Sequence, residues 1–193
     1  LAYPSLIRAS VRRGGLVHAV SHFVGDEIHH VLGVPREQIL VVPNGVEPAI
    51  AGDAARGRTA AGTDRYVLAV GPAEPRKHLE SLVAAFDALA AADPDLHLVH
   101  AGPPGWGTAQ LDAAVAAAAH RSRIHQLGWV NDATRADLLA GAAALAYPSR
   151  YEGFGLVPLE AMAQGAPVGA PAVGAIPEVV GDAALLVPPD DVD

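Results

Sequence analysis

The most constraining feature of this sequence is an alternation of short apolar segments with longer segments of helical pattern, which begins at Tyr66. The apolar segments predict six strands, at 66–71, 96–101, 123–127, 143–147, 167–170 and 184–187. The intervening segments predict five helices, at 79–92, 108–119, 133–140, 156–164 and 176–180. Strands that alternate with helices in this way pair in parallel, with helices on both faces of the sheet. The sequence therefore predicts an α/β fold with a doubly wound, parallel, Rossmann-like sheet.

A smaller unit, residues 1–48, precedes this alternation. Its pattern predicts two helices, at 6–13 and 21–32, and two short strands, at 16–20 and 38–42. Ser21 is a favourable N-cap for the second helix, and Gly33 is a favourable stop. Because elements this short bury too little apolar surface to fold alone, we expect residues 1–48 to be the tail of a preceding domain.

The two units are joined by residues 49–64, which are rich in Ala, Gly, Arg and Asp and lack a period. We expect this segment to be a linker or a mobile loop, and residues 65–193 to form the Rossmann-like domain. The sequence begins with Leu1 rather than Met, and a helix is expected to begin at its other end. Both ends are therefore expected to be cut from a longer protein, with the second domain truncated at its C-terminus.

Composition argues against several function classes. A net charge of -8 and an aromatic content of 5% disfavour a nucleic-acid surface. The sequence has no cysteine, which excludes disulfides and thiolate metal sites. The histidine spacing fits neither a zincin helix nor a structural zinc site, so no metal site is predicted. With no long apolar stretch and no signal peptide in view, we expect a cytoplasmic protein.

Residues 148–155 join a predicted strand to a predicted helix, where ligands of such sheets bind. Two glycines allow close backbone approach, and free N–H groups at the helix start favour an anion such as a diphosphate. Glu152 and Glu160 lie near the same sheet edge, so both can face one pocket, where carboxylates accept hydrogen bonds from sugar hydroxyls. The alternative is that Glu152 stabilises the helix dipole and that Glu160 is a solvated surface residue.

A second loop, 71–78, follows the first strand of this domain and contains Arg76 and Lys77. Adjacent cations after a strand can neutralise a diphosphate, and arginine offers a bidentate fork. The alternative is a solvated turn. Taken alone, this loop favours the turn.

The run Y-E-G-F-G-L-V-P-L-E-A-M at 151–162 resembles the E-x7-E signature of retaining GT-B glycosyltransferases, the glycosyl transferases group 1 family. Residues 163–168 and 174–186 also match the family pattern, and weaker matches extend along the chain. The resemblance implies the C-terminal half of a GT-B fold, in which Glu152 contacts the donor sugar and Glu160 binds the ribose. It also implies that sugar and diphosphate contact the backbone of Gly153, Phe154, Gly155 and Leu156.

The resemblance also implies a role for the loop 71–78. Arg76 and Lys77, beyond Gly71, match a basic pair that stabilises the leaving diphosphate. Many family members carry an arginine where this sequence has Pro72, so either the two cations suffice or phosphate binding is weaker. Trp129 and Val130 resemble the loop near the nucleotide base, whose contacts are mostly through the backbone.

The implied function is transfer of a mannose- or glucose-type sugar from a GDP- or UDP-sugar to a glycan, lipid or small-molecule acceptor, with retention and without metal or cofactor. The E-P-R-K segment resembles that of family members with mannose donors, which implies a mannosyltransferase. We expect the parent protein to be the enzyme and this chain alone to be inactive, with any peripheral contact to the inner face of the membrane made by the absent N-terminal domain. The alternatives are a non-catalytic nucleotide-sugar-binding module and a GT-B nucleotide-sugar epimerase, which would lack the E-x7-E run.

Overall fold

The computed structural model describes residues 3–46 and 50–189. Its helices are α1 (Tyr3–Arg12), α2 (His22–Leu32), α3 (Ala54–Ala61), α4 (Leu79–Ala92), α5 (Thr108–Ala117), α6 (Asp132–Gly141), α7 (Leu156–Ala163) and α8 (Ile176–Val180). Its strands are β1 (Val17–Ala19), β2 (Ile39–Val41), β3 (Tyr66–Val70), β4 (His97–Ala101), β5 (Ile124–Gly128), β6 (Ala144–Ala146), β7 (Val168–Pro171) and β8 (Leu185–Val187). Each predicted helix and strand beyond Tyr66 is present, with ends displaced by a residue or two. The helix expected to begin at the C-terminus lies outside the described residues.

Strands β3 to β8 form one parallel sheet in the order β5-β4-β3-β6-β7-β8. The chain therefore moves outward from β3 to β5, returns to β6 beside β3, and moves outward again in the other direction. This order confirms the predicted doubly wound sheet. Its topological switch point lies between β3 and β6, and crevices at such points are where open α/β sheets bind ligands.

The two faces of the sheet carry separate apolar clusters. In β3, Tyr66, Leu68 and Val70 face the cluster that includes side chains of α3, α6, α7 and α8. Ala69 faces the opposite cluster, which includes Phe86 of α4 and side chains of α5. This alternation follows from the two-residue period of a strand, and it explains why β3 is apolar on both faces.

The linker predicted for 49–64 is wrong for its central part, which forms α3. Asp53 caps this helix by accepting from a backbone N–H, and Gly62 ends it in the left-handed conformation with φ of 71°. The helix packs against α6 through Gly57, where an added Cβ would lie 1.9 Å from the carbonyl oxygen of Asp137. Because a glycine makes this contact, α3 shows little apolar periodicity in the sequence.

The unit before α3 contains the elements expected of it. Ser21 accepts a hydrogen bond from the N–H of Val24 at 3.1 Å, and Gly33 ends α2 with φ of 67°. Strands β1 and β2 pair in parallel. The carboxylate of Glu178 in α8 accepts from the N–H groups of His22 and Phe23, at 2.7 and 3.1 Å, which joins α2 to the larger sheet domain. Among the described helices, none has the length and apolar character that a bilayer crossing requires.

Candidate functional site

Two loops meet at the switch point, one leaving β3 and the other leaving β6. They run toward opposite faces of the sheet because α4 and α7, which follow them, belong to different apolar clusters. The N–H of Arg150 donates to the carbonyl oxygen of Arg76 at 2.8 Å, which fixes one loop against the other. The two loops singled out from the sequence are therefore in direct contact, although about 75 residues separate them in the chain.

A compact cluster of charges joins these loops. The ammonium group of Lys77 donates to Oε1 of Glu152 at 2.7 Å and to the hydroxyl oxygen of Tyr147 at 2.7 Å. Arg76 donates from Nη1 to the same carboxylate oxygen at 2.8 Å. Lys77 is only 6% exposed, and it is the single lysine of the sequence. A lysine buried in this way is stabilised by its anionic partner, and it is held in one orientation.

The ionisation of the cluster follows from burial and pairing. Burial alone would raise the pKa of Glu152, but the hydrogen bond and charge of Lys77, together with a hydrogen bond from Tyr147, hold this pKa below its usual range. Burial lowers the pKa of Lys77, and the bond to Glu152 offsets part of that effect. Burial also raises the pKa of Tyr147, so its hydroxyl remains protonated. Glu152 is thus an anion at neutral pH, and it can accept hydrogen bonds from hydroxyl groups.

The loop that carries Glu152 is held by tight backbone packing. Ala175 donates from its N–H to the carbonyl oxygen of Glu152 at 3.0 Å. A Cβ added to Gly174 would lie 2.4 Å from that same oxygen. Gly155 has φ of 105°, and an added Cβ there would lie 2.7 Å from Cδ1 of Ile176. Only glycine fits at these two positions, so the loop has one well-defined path into α7.

Gly71 lies beneath Lys77 in the other loop. It has φ of 129°, and a Cβ built on it would lie 3.4 Å from Cε of Lys77. Its N–H donates to the carbonyl oxygen of Ala101 at 3.0 Å, and its own carbonyl oxygen lies 2.8 Å from Nε2 of the buried His100. Gly71 therefore contributes the positive-φ backbone conformation with which this loop leaves β3, since an added Cβ would make only an ordinary contact with the lysine stem.

Glu160 occupies a different position from Glu152. It lines a cavity of about 290 Å³ bounded by Gly45, Val46, Ile50, Asp132, Arg135, Ala136, Leu139, Leu156 and Gln164. Its Oε1 lies 3.3 Å from Nη2 of Arg135, whereas its buried Oε2 has no hydrogen-bond partner among the described residues. Burial raises the pKa of Glu160, and Arg135 opposes the rise. Glu152 is not among the residues that line this cavity, so the structure does not bring the two carboxylates into one pocket as the sequence led us to expect.

The remaining predicted residues divide between surface and interior. Trp129 is 73% exposed, whereas Val130 packs against the core. Phe154 is buried. Gly153 accepts a hydrogen bond on its carbonyl oxygen from the hydroxyl of Ser21 at 2.7 Å, so the smaller N-terminal unit touches this loop.

Four further residues belong to the site and were missed by the sequence reasoning. Tyr147 closes the lysine cluster, and Asp132, Arg135 and Gln164 line the cavity with Glu160. The available signal was the pair Asp132 and Arg135, one helical turn apart and directly after the loop that contains Trp129. Contact between that turn and Glu160 depends on the packing of α6 beside α7.

Comparison with known families gives two matches. The profile described as glycosyl transferases group 1 matches residues 64–193, and that of glycosyltransferase family 4 matches residues 2–50. O-antigen chain mannosyltransferase B of Escherichia coli is 41% identical over 129 residues, which cover 66% of this chain and 34% of that protein. MMP alpha-(1->4)-mannosyltransferase of Mycolicibacterium hassiacum is 35% identical over 179 residues, which cover 90% of this chain and 42% of that protein.

Solved structures agree on the architecture. Sucrose-phosphate synthase of Thermosynechococcus elongatus superposes with a TM-score of 0.78 at 28% identity, covering 92% of this chain and 46% of that one. HepE of Anabaena, solved in complex with UDP and glucose, superposes with a TM-score of 0.82 at 23% identity, covering 98% of this chain and 54% of that one. These neighbours are GT-B glycosyltransferases, which confirms the predicted fold class. The chain spans between a third and a half of the length of the two mannosyltransferases.

Proposed function

The chain belongs to the glycosyl transferases group 1 family, and from this premise we propose that it forms the donor site of a glycosyltransferase that uses a nucleotide diphosphate sugar. The donor lies across the switch point, with its nucleoside in the cavity beside Glu160 and its diphosphate toward Arg76 and Lys77. The sugar is of mannose or glucose type. Both matched curated proteins named above are mannosyltransferases, and a UDP complex of a structural neighbour supports a nucleotide donor.

The observation that carries this proposal is the buried, unpartnered Oε2 of Glu160 at the wall of a cavity. A buried carboxylate oxygen without a partner costs folding free energy, so a ligand hydroxyl that donates to it gains more than it would in water. The two adjacent hydroxyls of a ribose match the acceptor capacity of one carboxylate. Glu160 then fixes the nucleoside, as the resemblance to the E-x7-E run implies.

The diphosphate meets positive charge from both loops. Lys77 and Arg76 both donate to one oxygen of Glu152, and Arg76 also pairs with Glu74 at 2.9 Å; a diphosphate at this position accepts further hydrogen bonds from the two cations. The N–H groups at the start of α7 have no side-chain cap and add a favourable dipole. Charge that develops on the leaving diphosphate is stabilised here by groups already in place.

In this proposal Glu152 binds the donor sugar. Its ionised carboxylate accepts hydrogen bonds from sugar hydroxyls and stabilises the positive charge that develops at the anomeric carbon. We propose retention of configuration because Glu152 and Glu160 match the E-x7-E signature in spacing and in surroundings. Transfer then needs no metal, since Arg76 and Lys77 supply the positive charge.

We also propose that residues 1–48 are the end of an acceptor-binding domain and that the donor domain begins near residue 65. The described part of the first unit exposes large apolar side chains, namely Tyr3, Leu6, Leu16, Val31, Leu40 and Val42. Such a surface is typical of a fragment that packs against more of its own domain. The family 4 profile matches this unit and supports the same division.

Substitution of Glu160 by glutamine tests the nucleoside position. Burial raises the folded-state pKa of Glu160, so the ionised side chain destabilises the fold as pH rises through that pKa. We expect Glu160→Gln to keep or raise Tm at pH 7 and to weaken nucleoside diphosphate binding about tenfold or more, since a charge-assisted bond to ribose is lost. Near pH 4 the difference in Tm disappears because both side chains are neutral.

The measurement is calorimetric titration with UDP, GDP and ADP beside thermal unfolding at the two pH values. Asp182→Asn is the matched control, since Asp182 is exposed and outside the cavity. Unchanged nucleotide affinity in Glu160→Gln would refute the assignment of Glu160 to the donor.

A further inference from the structure

Helix α2 of the N-terminal unit contacts the loop of Glu152 at the residue that precedes this glutamate. The hydroxyl of Tyr151 donates to Oε2 of Glu27, and the ring of Tyr151 meets the ring of Phe23 edge to face, with centroids 5.8 Å apart. Phe23 and Glu27 are four residues apart, so they lie on one face of α2 and reach the same tyrosine. The bond to Glu27, together with burial, raises the pKa of Tyr151 to about 12, so its hydroxyl remains a donor at neutral pH.

The start of the same helix contacts the residue that follows Glu152. Ser21, which is fully buried, donates from its hydroxyl to the carbonyl oxygen of Gly153 at 2.7 Å, and it accepts from the N–H of Val24 at 3.1 Å. Capping of α2 needs only the second of these bonds, which an aspartate would make equally well. An ionised aspartate has no proton to donate to Gly153, so the first bond requires the hydroxyl. The serine therefore serves the loop as well as its own helix.

Glu152 lies between these two contacts with α2. Its carboxylate accepts from Arg76 and Lys77 of the other loop, and its carbonyl oxygen accepts from the N–H of Ala175 at 3.0 Å. Displacement of the loop away from α2 would therefore move this carboxylate relative to the two cations and to a bound sugar. Because reaction rates fall steeply when a reacting group is misplaced by about 1 Å, the contacts with α2 matter for transfer.

We infer that Tyr151 and Ser21 are positioning residues, through which α2 holds the carboxylate of Glu152 in place for the donor sugar. This inference rests on the proposed function, in which Glu152 binds the sugar. It concerns only the sugar end of the donor, because neither Tyr151 nor Ser21 lines the cavity beside Glu160. Since residues 1–48 are proposed to end the acceptor-binding domain, the carboxylate that binds the sugar is held from both domains.

The test is Tyr151→Phe in the parent protein, which removes the hydroxyl and keeps the ring that contacts Phe23. We expect kcat for sugar transfer to fall about tenfold, because Glu152 is no longer held in one position. The KM for the donor and the calorimetric affinity for nucleoside diphosphate should stay within about twofold of wild type, since the groups proposed to bind the nucleotide are untouched.

A second variant identifies the residue through which Tyr151 acts. When Tyr151→Phe is added to Glu152→Gln, it should change kcat by less than about twofold, because the carboxylate that it positions is already absent. Tyr66→Phe is the matched control, since it removes a buried hydroxyl that donates to the carbonyl oxygen of Leu138 at 2.7 Å. This control should lower Tm and leave kcat within about twofold of wild type, as expected of a purely structural hydrogen bond.

Three results would overturn the positioning role and leave the donor site standing. They are a wild-type kcat in Tyr151→Phe, a loss of kcat that is just as large when Glu152→Gln is already present, and a loss of nucleotide affinity as large as the loss of kcat. Transfer at the wild-type rate by Glu152→Gln alone would instead overturn the assignment of Glu152 to the sugar, and the positioning role with it.

Discussion

Replacement of Lys77 by methionine is expected to lower kcat/KM for sugar transfer by about 100-fold or more, the effect typical of removing one preorganised group that stabilises transition-state charge. Methionine preserves the volume of the buried stem and removes the ammonium group that donates to Glu152 and Tyr147. Of the two cations, only Arg76 then remains for the leaving diphosphate, and its side chain is 43% exposed and therefore better screened by water. The measurement is release of nucleoside diphosphate from a sugar nucleotide with acceptor present, made with the variant in the parent protein because this chain alone is expected to be inactive.

The control for this variant is Arg121→Met. Arg121 is an exposed cation just before β5, at the N-terminal end of that strand, whereas the site lies at the C-terminal ends of the parallel strands β3 and β6. Its replacement is expected to leave kcat/KM within about twofold of wild type, as is usual for surface substitutions remote from a site. Because Lys77 is the only lysine, a selectively labelled lysine ammonium gives one magnetic resonance signal, which should shift when nucleotide binds. Lys77→Met with nearly wild-type kcat/KM would contradict the role assigned to this amine.

Replacement of Glu152 by glutamine is expected to separate binding from transfer. The variant removes the anion to which Lys77 and Arg76 both donate and leaves Glu74 as the carboxylate paired with Arg76, so nucleoside diphosphate should bind as tightly as in wild type or more tightly. Transfer should fall about 100-fold or more, because the carboxylate that orients the sugar and faces its developing positive charge is lost. A Glu152 that only capped the helix would change neither quantity by this much.

The same variant carries a pH signature. The folded-state pKa of Glu152 is depressed by Lys77, so its contribution to stability is present above the usual glutamate pKa and is lost as pH falls through the folded value. Wild-type Tm should therefore decline in acid more steeply than that of Glu152→Gln, whose neutral amide does not titrate. Glu178→Gln, which alters a carboxylate bonded to α2 instead, serves as the comparison for nucleotide binding. Parallel acid profiles in wild type and Glu152→Gln would show that Lys77 does not stabilise this anion.

Local sequence signals were sufficient for the sheet because its strands are largely apolar and β3 to β7 are each followed by a helix with a recognisable pattern. The order of the strands was not encoded locally. It follows from packing over long sequence separations, as in the contact of β3 with β6. Helix α3 was missed since it meets α6 through Gly57 and through an ion pair of Arg56 with Asp137, and neither residue contributes to an apolar period.

The residues of the candidate site could also be predicted only in part from local sequence. Glu152 and Glu160 were found from one contiguous run, and Arg76 and Lys77 from their place after a strand. Their pairing, and the burial that makes Lys77 an effective partner for Glu152, depend on the switch point of the folded sheet. Asp132 and Arg135 were missed for a related reason, because an acidic and a basic residue three apart at a helix start usually form an ordinary surface pair. Only the contact of Arg135 with Glu160 distinguishes them.

The central claim is that the cavity beside Glu160 and the cations Arg76 and Lys77 form one continuous donor site. Calorimetric titration of the protein with GDP and GMP, and with UDP and UMP, tests this claim most directly. The account predicts that within the preferred pair the diphosphate binds about tenfold or more tightly than the monophosphate, because its second phosphate reaches the two cations. Equal affinity of monophosphate and diphosphate, or no binding of either at millimolar concentration, would contradict it.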